Sequence, residues 1–94
     1  MNVTASALNI HQIVHDAEAG PNLDGPHDSY VDVVAGGWII YCKGPITARD
    51  IALTALDRVS LWEWGVTAEP YEKTIRHPWR TVTYTHRVVV VGIR

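Results

Sequence analysis

His11, His15 and Glu18 stand at i, i+4 and i+7, a spacing that on a helix sets two imidazoles and a carboxylate along one flank. That is a donor set for Zn²⁺ or Ni²⁺. The segment lacks the glutamate that follows the first histidine in a metalloprotease helix, and no fourth ligand is identifiable. The plainer reading is two half-exposed histidines beside an apolar stripe. His27, Asp28 and Ser29 supply the residue types of a hydrolase triad, but neighbours in one loop cannot align as nucleophile, base and orienter; they read as turn formers. Asp24, Asp28 and Asp32 are too widely spaced for a calcium loop. No Gly-x-Ser-x-Gly elbow, phosphate-cradling glycine loop or CxxC pair occurs. The sequence thus reads as non-enzymatic, without a cofactor.

Tryptophan is more informative, because four of them (Trp38, Trp62, Trp64, Trp79) occur in a chain that has no phenylalanine. Trp62 and Trp64 flank Glu63 and from a strand would point the same way as a paired aromatic patch. That patch either fills the core under a helix or anchors an interface, where Trp and Tyr are enriched. Trp79 precedes Arg80 at the mouth of the last strand, where a contact role is equally open.

These residues have to be positioned by a chain of 94 residues, enough for one domain with a modest core and no metal or disulfide staples. Apolar residues make up 47% and charged ones 19%, which excludes the composition of a disordered chain. A net charge of −2 without a Lys/Arg cluster gives no signature for nucleic acid or an anionic membrane. Cys42 has no partner for an internal disulfide and lies in the apolar run 38–42, so it reads as a small buried hydrophobe in a reducing compartment. No stretch approaches the roughly 20 apolar residues of a membrane span, and the N-terminus does not read as a secretory signal. A soluble protein that is not secreted is expected.

The elements follow from periodicity. Residues 5–19 place Ile10, Ile13, Val14 and Ala17 at helical spacing, with Thr4 or Ser6 as N-cap candidates and Gly20-Pro21 as a stop. A strand competes over 6–14, and a loop follows over 20–29. Tyr30 to Ala35 and Trp38 to Lys43 form a hairpin around Gly36-Gly37. Val31, Val33, Ala35, Trp38, Ile40 and Cys42 then share a core face, opposite a mixed face of Tyr30, Asp32, Val34, Ile39, Tyr41 and Lys43. After Gly44-Pro45, Thr47 and Asp50 resemble a capping box that opens a helix from Ala48 to about Ser60. Its buried arc is Ala48, Ile51, Ala52, Ala55, Leu56 and Val59, with Asp50, Thr54, Asp57 and Arg58 outward. A short segment over 61–67 is interrupted at Glu69-Pro70, resumes over 71–75, and turns at His77-Pro78.

The final run from Arg80 to Arg94 alternates polar Thr81, Thr83, Thr85 and Arg87 with Val82, Tyr84, His86 and Val88, then turns apolar on both faces over Val88–Val91. At about 3.3 Å per residue it extends about 45 Å, whereas a compact chain of this length measures about 30 Å across. The strand therefore bends or leaves the domain. Together the elements predict an α+β fold: a small, mostly antiparallel sheet of hairpin and long C-terminal strand, covered by one or two helices.

The order of Tyr41-Cys42-Lys43, the helix TARDIALTALDRV, Glu69-Pro70-Tyr71, His77-Pro78-Trp79-Arg80 and the strand YTHRVVVVGIR resembles the tail-terminator or tail-completion proteins of long-tailed bacteriophages, over residues 30–94. The resemblance implies a non-catalytic virion protein that forms a homo-oligomeric, hexameric ring at the head–tail junction and contacts other virion proteins. The chain departs from that family in being short and in lacking the strand-rich stretch ahead of the hairpin, so a related neck protein fits nearly as well. Trp62, Trp64, Trp79, Val88, Val89, Val90, Val91 and Ile93 are the expected interface. Two other readings compete: a small monomeric interaction module, such as a phage-encoded inhibitor of a host protein, and a metal-binding protein using His11, His15 and Glu18.

Overall fold

A computed structural model describes residues 9–18, 29–60 and 62–93. In chain order they form α1 (Ile10–Glu18), β1 (Tyr30–Val34), β2 (Gly37–Cys42), α2 (Pro45–Arg58), β3 (Trp64–Arg76) and β4 (Thr81–Gly92). The four strands make one antiparallel sheet in the order β1-β2-β4-β3. The expected α+β architecture is therefore present. The loop expected over 20–29 and the cap candidates Thr4 and Ser6 lie, apart from Ser29, outside the described residues.

The first segment is a helix rather than a strand. Asn9 caps it: the Gln12 backbone N–H donates to Asn9 Oδ1 at 3.1 Å, satisfying one of the unpaired N–H groups of the first turn. Ile10, Ile13, Val14 and Ala17 are buried, as the helical spacing requires.

The hairpin turn is Ala35-Gly36, one residue earlier than expected, because Val34 pairs with Gly37. Gly36 has φ of +81°, the conformation a type II turn demands at its second central position. Gly37 is needed for another reason: a Cβ there would collide with Val90 O and with Val91 Cα, 2.8 Å away. Moving the turn by one residue slides the pairing by two, so each side chain keeps its face.

Helix α2 begins at Pro45, with Gly44 as N-cap and no side-chain cap bond. The Thr47/Asp50 capping box does not form, because proline, whose fixed φ suits the first helical position, starts the helix earlier. Its inward stripe is nearly all small, Ala48, Ile51, Ala52 and Ala55, which lets the helix approach the sheet closely. Helix α1 packs on α2 and is tied to it by Arg58 Nη2, 2.6 Å from Asp16 Oδ2.

Strand β3 runs without interruption through Pro70, contrary to the break expected there. It is an edge strand, where a missing N–H costs no ladder bond. The irregularity falls just after the proline: Pro70 pairs with His86 and Lys73 with Tyr84, so Tyr71 and Glu72 together oppose Thr85 in a bulge. Past the bulge the β3–β4 hairpin carries Val82, Tyr84 and Ile75 round to Tyr41 and Ile39. The 12-residue β4 fits because the whole molecule is elongated, 42 × 29 × 22 Å.

Read across the four strands, the registers stack side chains in rows. On the helix side lie Val33·Trp38·Val90·Val66 and Val31·Ile40·Val88·Ala68. Ile40, Val88 and Val90 are fully buried beneath α1 and α2 in the main core. On the opposite side lie Val34·Gly37·Val91·Gly65, then Asp32·Ile39·Val89·Thr67, then Tyr30·Tyr41·Arg87·Glu69. The hairpin closes over the last row, while the first two have no helix above them among the described residues.

Candidate interface

The side chains that could bind a metal do not converge. His11 and His15 are exposed, whereas Glu18 is buried and accepts a hydrogen bond from Ser29 Oγ at 2.7 Å. Among the described residues no three His, Cys, Asp or Glu side chains come close enough to share an ion. His27 and Asp28 lie outside the described residues, and Ser29 is already engaged by Glu18. Cys42 is buried, its Sγ 3.6 Å from Ile40 O. Burial, reinforced by the charge of Glu18, pushes its thiol up to about 12, so it remains a thiol at neutral pH rather than a nucleophile.

The eight expected interface residues separate by depth. Trp64, Val88 and Val90 belong to the core, and a contact surface cannot use them. Trp62 and Trp64 do not form a paired patch, because β3 starts only at Trp64 and Trp62 sits in the turn before it, closed by Glu63 and Trp64 N–H groups donating to Ser60 O at 3.0 and 2.9 Å. Trp64 instead stacks on Trp38, ring centres 5.4 Å apart, with its indole N–H buried and unpartnered. Val89 and Val91 are half-buried on the helix-free side. Trp62 is 77% exposed, Trp79 74% and Ile93 58%, joined by Val33 at 75%.

Trp62, Ile93 and Val33 gather at one end of the sheet. The Ile93 N–H donates to Glu63 O and the Gly92 N–H to Gly36 O, both at 2.8 Å, which draws the turn before β3, the end of β4 and the β1–β2 turn together. That end of the sheet thus exposes Val33 on the helix side of the edge strand β1 and Trp62 and Ile93 beside the start of β3, with the half-buried Val34 and Val91 on the other face.

A second feature lies on α2. Ile46, Leu53 and Leu56, at 52%, 57% and 39% exposure, follow a helical stripe turned away from the sheet. Leu56 was expected in the buried arc and Ile46 and Leu53 in no site at all. The helix therefore buries Ile51 and three alanines while Ile46, Leu53 and Leu56 stay exposed, more apolar surface than an ordinary surface helix shows.

At the opposite end the hairpin tip carries an aromatic cluster. Tyr41 lies under Tyr30, Tyr71 and Tyr84, with ring centres 6.5, 6.2 and 6.2 Å away. His77 Nε2 is 3.3 Å from the Tyr84 hydroxyl, and its ring stacks on Trp79 at 5.4 Å. Arg87 lies 4.0 Å over Tyr71 and donates to Glu69. These contacts hold the curled hairpin down, and Trp79 stays largely exposed at its tip.

No helix among the described residues is long and apolar enough to cross a membrane. Comparison with protein-family models, with curated proteins and with solved structures finds no match.

Proposed function

We propose that this protein is a non-enzymatic assembly subunit that works by contact with copies of itself, forming a homo-oligomeric ring of the tail-terminator or neck type at a phage head–tail junction, where it also meets other virion proteins. The observation that carries this reading is the number of large apolar side chains left exposed, Trp62, Ile93 and Val33 at one end of the sheet and Ile46, Leu53 and Leu56 outward on α2. Large apolar side chains gathered in this way cost free energy in water and mark sites of association. A tryptophan at the centre of such a patch typically contributes upward of about 2 kcal/mol to a contact. The phage assignment itself rests on the order of elements from β2 through β4 and on the HPWR turn.

Negative-stain electron microscopy of the purified chain tests the reading. Closed rings of uniform diameter are expected. Fields of separate single subunits at high protein concentration would overturn it and favour the small monomeric interaction module, which would use the same apolar end on one foreign protein.

A further inference from the structure

We infer that the tip of the β3–β4 hairpin binds single-stranded nucleic acid, with Trp79 as the platform on which a base stacks and Arg76 and Arg80 as the charges that hold the phosphates. The site lies at the other end of the sheet from Trp62 and Ile93 and does not depend on self-association.

The net charge of −2 conceals a division along the chain. Residues 73–94 hold Lys73, Arg76, Arg80, Arg87 and Arg94, five of the eight Lys and Arg, and none of the ten Asp and Glu. This stretch therefore carries +5 and the preceding residues −7, an asymmetry of the kind that marks a polyanionic partner. The fold brings part of it to the tip. Arg87 is spent on Glu69 at the root of the hairpin, and Lys73 lies over the Tyr41 ring at 5.3 Å. Arg76 and Arg80 stand exposed on either side of Trp79, and Arg76 makes no ion pair among the described residues. The nearest acidic residue along the strand is Glu72, back in the bulge. Asp32, beside Ile39, lies on the sheet side of the hairpin, the side that Ile75 faces, whereas Arg76 alternates to the outside.

The platform is built before any ligand arrives. The His77 N–H donates to Arg80 O at 2.7 Å, closing the turn around Pro78 and Trp79, and the fixed φ of proline stiffens it. The His77 ring is held by the Tyr84 hydroxyl at 3.3 Å and by the edge of Tyr30, ring centres 5.5 Å apart. Trp79 stacks on that ring with the planes 13° apart, yet is 74% exposed, so one indole face is supported and the other meets water. A base outside a duplex stack presents a flat π surface to such a face, and positive side chains beside it follow the backbone. The other exposed side chains of the two arms near the tip are Thr74, Thr81 and Thr83. The tip thus lacks the apolar companions with which an aromatic residue enters a membrane, and its charge favours a nucleic acid strand.

Fluorescence anisotropy with a labelled oligothymidylate of about 15 nucleotides, a length one small domain can span, tests the site. Binding is expected at low salt, with log affinity falling against log salt at a slope of about −1.4, roughly 0.7 for each of two phosphate contacts. Trp79→Ala should weaken binding at least about fivefold and leave the slope unchanged, and Trp79→Tyr should restore most of the loss. Arg76→Ser, at an exposed position where folding is not at stake, should bring the slope about 0.7 closer to zero. No binding at low salt, a Trp79→Ala variant that binds like the wild type, equal affinity for a duplex of the same length, or tighter binding to vesicles of anionic phospholipid would each overturn the inference. None of these results bears on the homo-oligomer reading, which the ring images test separately.

Discussion

The two neighbouring glycines of the first hairpin illustrate how a residue's type can be required for unrelated reasons. Gly36 is fixed by its positive φ, so Gly36→Ala is expected to cost on the order of 1 kcal/mol. Gly37 is fixed by the backbone of β4, which fills the place a Cβ would take. Gly37→Ala is therefore expected to cost more, about 3 kcal/mol, because strands β2 and β4 must separate. Urea unfolding of the two variants checks the order, and equal losses would show that the close approach to Val90 does not matter. At Cys42 the raised thiol makes a second residue-scale prediction. The native protein is expected to resist thiol-labelling reagents at pH 8 and to react fully in denaturant. The folded thiol titrates near 12 and the unfolded one near 8.5, so the fold disfavours the thiolate. Stability should hold below about pH 8.5 and fall as the pH rises toward 12. Cys42→Ala should flatten that alkaline decline.

Among elements, one carboxylate links the two helices at the surface of their apolar contact. Asp16 accepts from Gln12 Nε2 at 2.7 Å and meets Arg58 on α2. These two bonds, Gln12 first, hold its carboxyl below the usual aspartate range. A depressed carboxyl stabilises the fold above its unfolded value and loses that contribution as pH falls through the folded one. Thermal melts between pH 7 and pH 3 are expected to show a steeper acid decline for the wild type than for Asp16→Asn, and parallel declines would contradict the link. Element type was legible wherever one period dominated: the helical spacing of Ile10, Ile13 and Val14, the inward Ile51 and alanines of α2, and the alternation of β4. Boundaries were lost where a local residue competed with its neighbours. Pro45 outweighed Thr47, and an edge position made Pro70 harmless. Asn9 followed by Gln12 was a readable start signal, hidden by Thr4 and Ser6 upstream.

For the molecule as a whole, the length of β4 was legible, and of the two expected outcomes, bending or leaving the domain, the structure takes the bend. The strand stays in the domain: β3 pairs with it along its length, β2 flanks only its second half, His86 to Val91, and its first half curls with the β3–β4 hairpin over Tyr41. The candidate surface was half legible. Trp62 and Ile93 were found by type and position, while Val88 and Val90 went to the core because the central strand β4 has one face under the helices, and Trp64 joined them by stacking on Trp38. Ile46, Leu53 and Leu56 were masked by the alanine stripe beside them, whose burial only the packing of α2 reveals. The apolar surface so defined is where assembly is expected to fail on substitution: Leu53→Asp and Trp62→Ala should lower association at least tenfold, judged from the share of binding energy such anchors carry, with little change in unfolding midpoint. The most direct measurement is sedimentation equilibrium of the wild-type chain over a wide concentration range. A mass that converges on a fixed multiple of 10.5 kDa is the predicted result, and 10.5 kDa at every concentration would contradict the account.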